Sequence, residues 1–381
     1  MDAWVETVAQ EIARHAEREL EALVGVSSPS GDVPGAEEAV ALCVAFAPTD
    51  AAAERIPCST PAHADDLVLH LRGSGTKKLL LLGHLDTVVS NDSHRPIERK
   101  ADRLIGSGTV DMKGGVVLAI GVLRALAERP EMFAETTLLL VNDEEWRRGA
   151  LAHTGRFGHV DACLCFEAGQ REPGGEEGVV VKRKAAGTLR IAATGRASHS
   201  GSAPDKGLNA LLALASAAQT VAAQHDPRGE DHLSAVPTIM NAGEAFNVVP
   251  PSGELYCDLR ADRLEAFQRV IEALPDEVGG ATLEAELIRQ WPGMDAREQT
   301  REVLETATAL LGRPIVGSER GGASDASHMA GHVPCTIDGL GPRGGGAHNP
   351  EEFVLRESLQ SRAQVALAVV AALASTKRPE S

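Results

Sequence analysis

The chain has 381 residues, is 43% hydrophobic and 24% charged, and carries a formal net charge of −17. Its length accommodates two domains, and its composition is the ordinary one of a globular protein. The acidic balance argues against nucleic acid or an anionic membrane as a main partner, and no apolar run approaches the ~20 residues of a membrane span.

Residues 1–10 lack a basic region followed by an apolar core, so no signal peptide is expected. Apolar Val5, Val8, Ile12, Leu20 and Leu23 predict a helix over 5–24, and a turn cluster at 27–32 separates it from a second over 34–46. Strands are predicted at 67–71 and 79–82. The second, Leu79 to Leu82, is an unbroken apolar run of the kind buried on both faces of a sheet. It leads into Gly83-His84-Leu85-Asp86, whose spacing puts His84 and Asp86 on one side of extended backbone. Two readings fit: a metal ligand with the carboxylate that orients it, or a buried histidine satisfied by its neighbour. Taken alone, the stretch favours the second.

Residues 90–103 read as a loop with a short hairpin, and the Gly-rich run 106–115 leads into a helix over 116–128, closed by Pro130. Apolar strands at 136–141 and 162–166 end in Asn142-Asp143-Glu144-Glu145 and in Glu167. None of the six cysteines is spaced Cys-x-x-Cys, and Cys163 and Cys165 lie inside the second of these runs. They read as small buried residues in a reducing compartment, which places the protein in the cytoplasm. Strands alternating with helices predict an α/β fold, a mixed sheet with helices on both faces.

Near Lys184 the pattern changes. Strands at 188–194, 236–240, 252–260 and 282–288 and helices over 208–224 and 263–274 give the order β-α-β-β-α-β, the ferredoxin-like arrangement. Residues 184–292 therefore read as a small domain inserted between the two parts, 1–183 and 293–381, of a larger one. The larger part resumes with a helix over 297–311, a Gly-rich segment 321–325, a strand at 333–337, a loop at 344–349 and a helix over 355–375.

Three buried strands thus end in His84/Asp86, Glu144/Glu145 and Glu167, with Asp111 just before a helix and His348 in a Gly-rich loop. Strand ends are where α/β sheets bind ligands, so these groups are able to converge on one edge. Unpaired acids held close together are costly, and one or two divalent cations would relieve the repulsion. Residues 106–115 lack the spacing of a phosphate-binding loop, and no Gly-x-Ser-x-Gly elbow is present.

With these motifs in this order the chain resembles the co-catalytic di-zinc metallopeptidase and amidohydrolase family, which includes glutamate carboxypeptidase, aminoacylase, acetylornithine deacetylase and succinyl-diaminopimelate desuccinylase. The family's His-x-Asp is met by His84-Leu85-Asp86, its Gly-x-x-Asp-x-Lys-Gly-Gly by Gly108 to Gly115, its Asp-Glu-Glu by Asp143-Glu144-Glu145 and its late histidine by His348. The resemblance implies that His84 and Glu167 hold one metal, Glu145 and His348 the other, and that Asp111 bridges them. Asp86 would orient His84, and Glu144 would be the general base acting on a metal-bridging water. Two divalent ions are implied; nitrogen and oxygen ligands suit Zn²⁺ and admit Co²⁺ or Mn²⁺. His199 would help stabilise the oxyanion, often from the partner subunit, and Asn247 and Arg260 would bind the substrate backbone and its carboxylate. Gly322 and Ser324 would lie in a substrate-binding loop, and the inserted domain would act as lid and homodimer interface. The implied activity is hydrolysis of a peptide or N-acyl amide bond next to a free carboxylate. A non-catalytic carboxylate- or peptide-binding protein on the same fold is the alternative.

The chain departs from the family at three places. Trp146-Arg147-Arg148-Gly149 follows Glu145 where relatives soon have a small residue. Ser327-His328 stands where many carry an arginine. Residues 168–177 have no lysine to match the one glutamate carboxypeptidase sets against the substrate side chain.

Overall fold

The computed structural model describes residues 1–349 and 351–375. Its main sheet has six strands, in the order Ala52–Ile56, Asp66–Arg72, Glu135–Val141, Lys78–His84, Ala162–Cys165 and Thr336–Ile337. The last four run parallel and the first two antiparallel, so the sheet is mixed. Because side chains alternate along a strand, the apolar runs split between two cores. Leu79, Leu81, Leu138, Leu140 and Leu164 pack on one face with the helices Ala3–Gly25, Gly114–Ala127 and Arg356–Ser375. Leu80, Leu82, Leu139, Cys163 and Cys165 face the other way, onto Leu151, Phe157, Ala326 and Met329. A run of leucines without polar alternation is what burial on both faces demands.

A second sheet is antiparallel throughout, in the order Ser234–Ala242, Ser252–Ala261, Ala185–Thr194, Ala281–Trp291 and Glu277–Val278. The helices Ala210–Ala223 and Glu265–Glu272 contribute Ala213, Leu214 and Phe267 to a separate core with Leu189, Ile191, Leu255, Cys257 and Leu259. The predicted β-α-β-β-α-β order is present, with one extra two-residue strand.

Two expectations need correction, and one strand pair was not foreseen. The strand predicted at 333–337 is reduced to Thr336–Ile337. Val333 N–H instead closes a helical turn on Met329 O (2.8 Å), and Pro334 has no N–H to give a ladder. The helix predicted from 116 starts at Gly114. A Cβ at Gly115 would lie 1.8 Å from Phe166 O, so the paired glycines let this helix run against the chain entering Glu167. Finally, Glu177–Arg183 and Ile315–Arg320 form a parallel pair that was not predicted, with Arg183 opposite Arg320. Charged residues end both strands, and buried Glu177 is accommodated by ion pairs, the shortest with Arg343 (2.8 Å) and Arg362 (3.0 Å).

A small antiparallel sheet completes the frame. It joins Gly344–Gly345 and Phe353–Leu355 to the hairpin Arg103–Ile105 and Glu98–Arg99. This brings the loop carrying His348 beside the turn carrying Asp111.

Candidate metal centre

The central strands deliver His84, the turn 143–145 and Glu167 to one edge of the main sheet, because Lys78–His84 is parallel to both of its neighbours. There His84 Nε2 lies 3.2 Å from Asp111 Oδ1 and 3.6 Å from Glu167 Oε1. His348 Nε2 lies 3.1 Å from Asp111 Oδ2 and 3.3 Å from Glu145 Oε2. Two donor triads result, His84/Asp111/Glu167 and Asp111/Glu145/His348, each with its donor atoms within 4.8 Å of one another. Asp111 is common to both and turns one oxygen to each.

The surrounding chain holds these groups in place. His84 Nδ1 faces Asp86 Oδ1 (3.3 Å) and Asp86 O (3.0 Å). Asp86 in turn accepts the backbone N–H groups of Glu144 and Glu145, both at 3.1 Å. One buried carboxylate therefore orients the imidazole and fixes the turn that bears the adjacent glutamates. That turn resolves a conflict in the sequence. Adjacent strand residues point opposite ways, but the strand ends at Val141, and Arg147 N–H bonds back to Asp143 O (2.8 Å). Glu144 and Glu145 both line the resulting pocket.

Arg147, one of the departures from the family pattern, is 2% exposed and clamps this turn. It pairs with Asp143 (2.7 Å) and Asp325 and lies 5.0 Å over the Trp291 ring, while Trp291 Nε1–H donates to Arg147 O (3.1 Å). Lys113 of the Gly-Gly motif is also buried, and its ammonium donates to Val26 O (2.8 Å).

Electrostatics mark the cluster as a cation site. Burial, with Asp111 close by, pushes the Glu167 carboxyl well above its usual range and raises Glu145 as well. Burial likewise pushes Glu144 up to about 7. Hydrogen bonds to Asp111 and Glu145 raise His348 to about 10. Burial opposes protonation of His84, yet Asp111 and Asp86 hold it well above the ordinary value. Asp111 is itself held low, because hydrogen bonds from the two imidazoles outweigh its burial. Protons thus stand in for missing positive charge. Buried Glu145 Oε1 has no hydrogen-bond partner among the described residues. The nitrogen and oxygen donors, the shared carboxylate and this orphaned oxygen fit two divalent cations.

Metal uptake is therefore expected to release protons at pH 7. Glu145, Glu167, His84 and His348 each hold a proton to higher pH than usual, so apparent affinity should fall as pH drops. Titration calorimetry in two buffers of different ionisation heat should count at least about one proton per chain. A count of zero would contradict this charge arrangement.

The other expected site residues divide. Arg260 and Gly322 line a pocket of about 490 Å³ together with Asp111, Glu144, Glu145, Glu167 and His348. Ser324 does not line it; it is buried and its hydroxyl donates to Asp338 (2.6 Å). His199 and Asn247 are exposed and sit together away from the pocket lining, with Ser200 N–H donating to Asn247 O (3.0 Å). Backbone N–H groups of Gly201 (3.1 Å) and Ser202 (3.2 Å) donate to His199 Nδ1, which leaves Nε2 to carry the proton outward.

Sequence reasoning missed Glu352. It is 1% exposed, and its carboxylate accepts the backbone N–H groups of Gly108 (3.0 Å), Val110 (2.7 Å) and Asp111 (2.9 Å), setting the Asp111 turn. It also missed Arg183, Arg289 and Arg320 on the pocket wall. The only signal for the first was a basic pair closing the apolar run 179–181.

A family profile described as Peptidase family M20/M25/M40 matches residues 80–372. Carboxypeptidase G2 of Pseudomonas sp. (strain RS-16) is 27% identical over 330 residues, covering 82% of this chain and 78% of its own length. A succinyl-diaminopimelate desuccinylase of Rhodospirillum centenum is 29% identical over 326 residues, covering 79% and 82%. Among solved structures, aminopeptidase PepT of Bacillus cereus superposes with a TM-score of 0.77 at 21% identity, over 95% of this chain and 99% of that one. A dinuclear metal binding peptidase of the M20 family from Bacillus subtilis gives 0.71 at 14% identity, over 97% and 99%.

Proposed function

The chain belongs to peptidase family M20/M25/M40, and from that premise we propose a metal-dependent hydrolase that cleaves a peptide or N-acyl amide bond adjacent to a free carboxylate. The observation that carries this reading is the pair of donor triads sharing Asp111, with the Glu144 carboxyl on the same pocket wall. Two divalent cations held there, most simply Zn²⁺, would supply Lewis acidity and make water a nucleophile near neutral pH.

The remaining work falls to side chains. His84 and Glu167 would hold one ion, His348 and Glu145 the other, and Asp111 both. Asp86 keeps the His84 ring in one orientation. Glu144 takes a proton from the attacking water and returns it to the leaving nitrogen, a task suited to a carboxyl lifted toward neutrality by burial. The pocket arginines, Arg260 included, receive the substrate's free carboxylate, and Gly322 lets the chain approach it closely.

We read residues 184–292 as the inserted lid and dimerisation domain. Exposed Val236, Ile239 and Met240 on its edge strand, with exposed Leu211 and Leu212 on the neighbouring helix, suit burial against a second copy. His199 and Asn247, exposed on the same domain, would then serve the partner's pocket. The six cysteines are unpaired, which suits the cytoplasm, and no described helix is long and apolar enough to cross a membrane.

The test is hydrolysis of a panel of dipeptides and N-acyl amino acids by metal-loaded protein. Release of a free amino acid, abolished by a chelator and restored by metal, is expected. Binding without hydrolysis across the panel would make this a carboxylate- or peptide-binding protein instead.

A further inference from the structure

The pocket is lined by two sets of charges, the carboxylates of Asp111, Glu144, Glu145 and Glu167 and the guanidiniums of Arg183, Arg260, Arg289 and Arg320. Two of the arginines are neutralised by acids of the chain. Arg183 Nε–H donates to Asp338 (2.7 Å), and Arg260 binds Asp258 on its own strand (3.0 Å).

The other two have no ion-pair partner among the described residues. Arg320 donates to neutral groups, from Nε to the Gln170 side-chain oxygen (2.6 Å) and from a terminal nitrogen to Gly169 O (3.4 Å). Arg289 is stacked 4.7 Å from the Trp291 ring centre, and its Nε–H is buried without an acceptor. Trp291 is fully buried and bonded to Arg147 O, so this guanidinium rests on a rigid support.

Without metal, both guanidiniums serve to balance the pocket acids, Arg289 with Glu144 and Glu145 nearby and Arg320 with Glu167 and Asp111. Two divalent cations remove that need, since their formal charge already equals that of the four carboxylates. In the loaded pocket, Arg289 and Arg320 then remain as two uncompensated positive charges, partly desolvated and oriented, each with a planar fork that suits a carboxylate.

Resting on the hydrolase reading above, we propose that the substrate is a dianion, with one carboxylate beside the scissile amide and a second for which Arg289 and Arg320 provide the extra guanidinium. The second carboxylate belongs either to the side chain of the leaving amino acid or to the acyl group. A substrate with only one leaves a partly desolvated guanidinium unpaired, and the site rejects it for that reason.

The experiment compares kcat/KM of the metal-loaded protein in two arms. N-acetyl-glutamate is set against N-acetyl-glutamine, and N-succinyl-norleucine against its succinamoyl counterpart. In at least one arm the dianion should be preferred by roughly 10–100-fold, and that arm identifies the carrier. Arg289→Gln and Arg320→Gln should each lower this ratio at least about fivefold, whatever happens to the absolute rates. Ratios within about threefold in both arms overturn the proposal, as does a preference that neither variant changes. Competitive inhibition of the unaltered protein by glutamate against glutamine, and by succinate against succinamate, reads the same discrimination without any variant. If no amide in either arm is hydrolysed, the dipeptide panel above still decides the hydrolase reading, and calorimetric binding of the same acids and amides to the metal-loaded protein decides for or against the dianion.

Discussion

Replacing Glu144 with glutamine is expected to leave the metal content of the protein unchanged and to lower kcat by roughly 10²–10⁴-fold, with a much smaller change in KM. Glu144 lies on the pocket wall but belongs to neither donor triad. Its place is held by the backbone, through the bond from its N–H to Asp86 (3.1 Å), and the isosteric amide keeps that bond. What the amide lacks is an oxygen able to accept and return a proton. A loss confined to kcat is the signature of a group that acts in the transition state rather than in binding. Metal analysis alongside steady-state kinetics checks both halves. Unimpaired turnover would remove Glu144 as the base, and loss of metal would make it a ligand.

The second large effect is expected at Asp111. Asp111→Ala should weaken both ions at once, by at least about 100-fold, and abolish measurable hydrolysis. Its two oxygens face different imidazoles, at 3.2 Å and 3.1 Å, so a single substitution removes a donor from each triad. Glu167→Ala is the control, because it touches the His84 triad alone and should leave one ion per chain after dialysis. Elemental analysis after exhaustive dialysis separates the two. Two ions per chain retained by Asp111→Ala would contradict the sharing of this carboxylate. Circular dichroism of the metal-free proteins keeps a folding defect from being mistaken for a ligand defect.

Much of this was legible in the chain. Leu79 to Leu82 is too uniformly apolar to lie anywhere but the middle of a covered sheet, and His84 follows it directly. The strands leading to Glu144 and Glu167 announce themselves in the same way. Strand alternation alone, however, set Glu144 and Glu145 on opposite sides. The turn that unites them depends on Asp86 from a neighbouring strand and on Arg147 pairing with Asp143 and Asp325. The arginines of the pocket were invisible for a similar reason. Arg289 lies near the end of a strand whose alternation makes it look like any solvent-facing residue, and only the Trp291 ring and the facing metal centre make it part of a pocket.

By itself, the amino-acid order determined which strands are central, which acids and imidazoles end them, and the β-α-β-β-α-β course of 185–291, because these follow from local periodicity and from where a buried strand must stop. The folded chain alone decided that both histidines meet on Asp111, that Glu352 sets its turn from 242 residues away at Val110, and which pocket guanidiniums are paired with an acid of the chain. Those outcomes depend on partners remote along the chain. Burial and ion pairing act through distance in space, and spacing along the backbone carries no record of them.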